Sequence, residues 1–65
     1  MKTKPGIIED VHYEEGGCTI HVDCGDGVHI ARLNRNAVED KGYRKGIQVT
    51  AHLNDAGDAV GLEVG

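Results

Sequence analysis

Apolar and polar residues alternate with a period of two through most of this chain, the pattern of strands with one face in a core and the other in water. The clearest run is Cys18, Ile20, Val22 and Cys24, interleaved with Thr19, His21 and Asp23. Ahead of it, Ile7, Val11 and Tyr13 share one parity with Ile8 on the other face, which predicts a first strand from about Gly6 to Tyr13. Pro5 and Gly6 end a short polar tail before that strand. Val28, Ile30 and Leu33 carry a third strand, and Ile47, Val49, Ala51 and Leu53 a fourth. Val60, Leu62 and Val64 carry a fifth. Glu14 to Gly17, Gly25 to Gly27 and Asn54 to Asp58 read as turns, rich in glycine and acids.

Two features set how these pieces connect. Directly paired residues share a face, so a three-residue loop pairing Cys24 with Val28 and Val22 with Ile30 keeps apolar residues together. A two-residue Asp26-Gly27 loop instead mixes core and solvent positions, which favours the bulged hairpin with Gly27 as its left-handed residue. Asn34 to Gly42 breaks the alternation, with Asn residues to cap a helix start, Lys41 late and a terminal glycine. That is one or two helical turns between the third and fourth strands.

The chain has 65 residues, enough for one core, so residues 1–65 form one domain. Five strands with a short helix between strands 3 and 4 predict an all-β fold, a small five-stranded OB-like barrel. An SH3-like barrel is the rival topology. A core this small favours self-association, so a homo-oligomer is expected.

Seven Lys and Arg against eleven Asp and Glu leave a net charge of −4, which disfavours an unspecific grip on a polyanion. Neither a signal peptide nor an apolar span is evident, so a cytoplasmic protein without a membrane partner is expected. Six strand residues put Cys18 and Cys24 roughly 20 Å apart, beyond the reach of a bridge, so both are read as free thiols. The four His lack familiar ligand spacings, and His21, His29 and His52 fall opposite the core face, so no metal is expected. In the preferred register, His29 sits opposite Asp23 as a surface ion pair. The chain has no Ser and no acid, base or nucleophile motif, so it is read as a non-enzyme without a cofactor. A nucleic-acid surface would use Arg32, Arg35, Tyr43, Arg44 and Lys45, the one local cluster of basic residues with an exposed aromatic.

Val22 to Gly27, Ala31 to Asn34 and especially Ala37 to Ala51 resemble the transport-associated OB family, the TOBE domains, whose free-standing members are molbindins. The resemblance implies a non-catalytic binding module for a small oxyanion such as molybdate. The site would be Arg32, Asn34, Arg35, Asn36, Ala37 and Val38, at the helix start, where unpaired N–H groups and the dipole favour an anion. The family's opening Ser-Ala-Arg-Asn-like segment has no equivalent here, and Asn34 and Ala37 stand where it carries hydroxyl residues. More loosely, Gly6-Ile7-Ile8, Asp26-Gly27 and Lys45 to Val49 resemble the cold-shock and initiation-factor-like OB proteins. That resemblance implies nucleic-acid binding as the alternative function. A structural protein-interaction module is the third.

Overall fold

The structure, a computed structural model, describes residues 2–64. Five strands and one helix follow in the order β1 (Lys2–Glu14), β2 (Gly17–Asp23), β3 (Val28–Leu33), α1 (Arg35–Lys41), β4 (Gln48–Leu53) and β5 (Ala59–Val64). The strands close in the order β1-β2-β3-β5-β4, with β4 returning to β1. All neighbours are antiparallel except β3 and β5, which run parallel. This is the expected OB-like barrel, in which every strand has a neighbour on both sides, although β3 and β5 meet only at the Ala31–Ala59 pair.

β1 is twice the length of most of its partners because it serves two of them. Its first half pairs with β4, from Lys2 against Leu53 to Ile7 against Gln48, so residues 2–5 are strand rather than the expected tail. Its second half pairs with β2, from Ile7 against Asp23 to Glu14 against Gly17. A bulge between Ile8 and Asp10 lies near the start of that second half. The extra residue reverses the side-chain parity, so Ile8 and Val11 face inward together and Ile7 points out, 53% exposed. The expected grouping of Ile7 with Val11 and Tyr13 is thereby overturned. Tyr13 pairs with Cys18 on the inward side but lies at the barrel's end, 54% exposed.

The β2–β3 register also differs from expectation. Asp23 pairs with Val28, Val22 with His29, His21 with Ile30 and Ile20 with Ala31. The loop has four residues, Cys24 to Gly27, tied by Cys24 N–H to Gly27 O at 3.1 Å and Gly25 N–H to the Asp23 carboxylate at 2.9 Å. Val28 and Ile30 therefore point outward, while His29 and Ala31 face in. The reason is interior volume. Ala31, Ala51 and Ala59 occupy inward positions, which leaves room in a five-stranded barrel for Ile8, Ile20, Val22 and Val49. A second bulge, where His52 pairs with Gly61 and Leu53 with Ala59, turns Val60 outward against its expected core role. Val64 too is exposed.

The helix forms as its sequence predicts. The Asn34 side chain accepts from Ala37 N–H at 2.7 Å, and Gly42 takes the left-handed C-cap conformation at φ 70°. Its one buried residue, Val38, completes the core. Tyr43 follows it inward and donates its hydroxyl to Leu62 O at 2.7 Å, joining the helix exit to β5. Cys18 and Cys24 are both free thiols.

Gly6 lies where β1 passes from one partner to the other. A Cβ there would stand 2.7 Å from Val22 Cγ1 and 2.8 Å from Asp23 O, and the latter is backbone that cannot swing aside. Gly6→Ala is expected to cost about 1–3 kcal/mol by overpacking. Urea denaturation of the two proteins measures it, and equal midpoints would refute the close approach.

Candidate outer-face binding surface

Pairing brings three rows of side chains onto the outer face of β1, β2 and β3. Ile7, Asp23 and Val28 form one, Asp10, His21 and Ile30 the next, and His12, Thr19 and Arg32 the third. The His12 and His21 rings meet edge to face with centroids 5.1 Å apart, and His12 Nε2 lies 3.1 Å from Asp10 Oδ2. Thr19 donates its hydroxyl to the Glu14 carboxylate. The face continues onto β5 through the parallel pair Ala31 and Ala59. Ile30, Arg32, Asp58, Ala59 and Val60 line an open depression of about 610 Å³ there. A smaller one of about 270 Å³ sits beside the β1–β2 turn, lined by residues that include Glu14, Glu15, Thr19, Arg32 and Asn34. Arg32 belongs to both and stands between them.

The residues expected to hold an oxyanion are disposed differently. Asn34 Oδ1 caps the Ala37 N–H, Val38 N–H donates to Asn34 O, and Val38 is 1% exposed. Arg35 extends over the Tyr13 ring, its guanidinium carbon 5.6 Å from the ring centroid, and Asn36 is exposed. Arg32 and Asn34 do share a depression, but Glu14 and Glu15 line it too, and their carboxylates oppose an anion. The residues expected to hold nucleic acid are dispersed as well. Tyr43 is 5% exposed and packed in the core, so its ring offers no stacking surface. Arg32 lies on β3, Arg35 on α1, and Arg44 and Lys45 in the turn before β4.

Sequence reasoning missed one polar cluster. His29, which the register turns inward, has a side chain 17% exposed and lies between two acceptors. Nδ1 is 2.9 Å from Gly57 O and Nε2 is 3.2 Å from Asp26 Oδ1. A carbonyl only accepts, and an ionised carboxylate does likewise, so the imidazolium satisfies both contacts by donating twice. Lys4 on β1 pairs with the other Asp26 oxygen. One histidine thus ties β3 to the β4–β5 turn and, through Asp26, to the start of β1. The expected Asp23 partner is replaced by Asp26, whose spacing of three residues was the available signal. The Gly57 carbonyl, then the Asp26 carboxylate, raise the His29 pKa above its ordinary value. Hydrogen bonds from Lys4 and then His29 lower that of Asp26 to about 2. Burial, with Asp26 beside it, pushes the Cys24 thiol up and away from reactive thiolate character.

Among the described residues, no three or more His, Cys, Asp or Glu side chains gather as a metal site, and no helix is long and apolar enough to cross a membrane. Comparison with protein-family models, curated proteins and solved structures finds no match to this chain.

Two outcomes follow from these assignments. If Asn34 acts as a cap, Asn34→Ala costs about 1 kcal/mol while Asn34→Gly costs a few tenths. Equal losses in thermal melts would argue against capping. For the His29 contacts, a raised imidazole pKa adds stability that is fully present below its ordinary 6.5 and lost as pH rises through the folded value. The lowered Asp26 adds stability present above its ordinary 3.8 and lost as pH falls through about 2. The melting-temperature gap between the wild type and His29→Gln should therefore shrink as pH is raised from about 6 to 9. A gap that stays constant or widens contradicts the doubly donating imidazolium.

Proposed function

We propose that this chain is a non-catalytic docking domain that binds another polypeptide through the outer face of β3 and β5. The observation that carries the reading is the contiguity of Val28, Ile30 and Val60, which are 48%, 48% and 53% exposed on that face. Single exposed apolar residues are ordinary, but a clustered patch with polar residues around it marks an interaction surface. His12, His21, Thr19 and Arg32 supply the polar surround. Their short or rigid side chains lose little entropy on contact, apart from Arg32.

Charge supports a polypeptide over a polyanion. Arg32 is the one Lys or Arg in the three rows and the two depressions, against Asp10, Asp23, Asp58, Glu14 and Glu15. A phosphate backbone meets net repulsion on such a surface. The oxyanion reading implied by the TOBE resemblance has weaker support, because Asn34, Arg35, Ala37 and Val38 are engaged in capping, packing and the Tyr13 contact.

Benzoylphenylalanine placed at Val28 is expected to trap a polypeptide on irradiation in the native host, while the same group at the exposed Glu39 on α1 traps none. Equal trapping from both positions would refute the docking face. So would firm binding of single-stranded RNA or DNA at low salt without trapping at Val28. Calorimetry with molybdate, tungstate and sulfate is expected to give no binding heat, and a saturable heat would restore the oxyanion reading.

A further inference from the structure

We infer that the polypeptide this face fits is a second copy of the same chain, paired about a two-fold axis across the β3–β5 seam. The inference rests on the docking reading and adds the identity of the partner. It comes from how four side chains are arranged. With Ala31 opposite Ala59 in a parallel pair, Ile30 lies beside Asp58 and Arg32 beside Val60. The four make a checkerboard, apolar on one diagonal and oppositely charged on the other.

Such a pattern is self-complementary. A two-fold axis lying in the contact plane along the Ile30 to Val60 diagonal exchanges the two remaining corners. Each Ile30 then meets its own counterpart, as does each Val60, while each Arg32 meets Asp58 of the other copy, twice over. This is the isologous geometry of a two-fold dimer. The axis along the other diagonal sets Arg32 against Arg32 and Asp58 against Asp58, so charge selects one arrangement and rejects the other. The chosen axis makes the two sheets cross at a steep angle, as in orthogonal sheet packing.

The distribution of apolar side chains points the same way. Among the described residues, the largest fully buried side chains are Ile8, Ile20, Val22, Val38 and Val49, while six large hydrophobics are about half exposed. A standard interface removes about 800 Å² from each partner. That is close to a fifth of the 4259 Å² this domain exposes. The checkerboard with Val28 beside it covers less than that, which places the pair in the weak class, with a dissociation constant on the order of 10–100 µM.

Sedimentation equilibrium over about 10 to 500 µM, a range bracketing that constant, tests the pairing. The wild type should pass from monomer to dimer with rising concentration. Arg32→Asp and Asp58→Arg, each placing like charges in contact twice, should each weaken association at least about tenfold. The double variant R32D/D58R restores both contacts in exchanged order and should return to within about threefold of the wild type. Circular dichroism melts check that each variant folds, and Arg32→Gln with Asp58→Asn replace any reversal that does not. A wild type monomeric throughout overturns the inference, as does a single reversal without effect or a double variant that fails to recover. A monomeric wild type that still traps a foreign polypeptide from Val28 overturns self-pairing alone. Equal trapping from Val28 and Glu39 overturns the docking face itself.

Discussion

Closure of the barrel through a single strand that serves two partners is the constraint on which the remaining structure depends. Five short strands cannot bury a sheet of this size by stacking, so the sheet must bury its inner face against itself. β1 makes this possible by pairing with β4 along one half and with β2 along the other. Ile8 stands at the crossing. Its N–H donates to Ile47 O at 3.0 Å, its carbonyl accepts from Gly46 N–H at 2.8 Å, and its side chain is wholly buried. The bulge that follows reverses the parity of the β2-paired half, and the missing Cβ of Gly6 lets the chain pass close to Asp23 O.

The cost of closing so small a barrel falls on the last seam. β3 and β5 share one parallel residue pair, far fewer than any other neighbouring strands. Side chains compensate. His29 reaches from β3 to Gly57 O at the β4–β5 turn, and the Tyr43 hydroxyl holds Leu62 O from the helix exit. Both contacts place polar atoms at the margin of an otherwise apolar core, where a hydrogen bond is stronger than in water and its loss costs more. The same seam carries Ile30, Val60, Arg32 and Asp58 on its outer side. The weakest join of the barrel therefore coincides with an exposed patch that includes Ile30 and Val60, and a partner seated there would reinforce closure as it binds.

The helix contributes to this scheme as a plug over the core. Its seven residues are capped at both ends by its own sequence, and Val38 occupies the core beneath it. Arg35, which a reading of charge alone would offer to an anion, stacks on Tyr13 at the barrel's end. Local capping and packing thus absorb most of the groups that a ligand at the helix start would need.

The elements themselves were legible in the sequence because each rests on local chemistry. Alternation marked β2 and β4, asparagine and glycine marked both ends of α1, and glycine with acids marked the turns. The order of those elements identified the barrel. Facing was a different matter. A strand's parity is read correctly only while it has no bulge, and β1 and β5 each carry one, so Ile7 and Val60 turned out where alternation had them in. β3 was misread because Val28 and Ile30 are the more apolar choice, whereas the narrow interior accepts Ala31 and His29. The His29–Gly57 contact and the outer checkerboard span residues 28 positions apart, joined only when β3 meets β5. Local propensity decided which segments are strand, turn or helix, while interior volume and barrel closure decided which side chains remain outside to meet a partner.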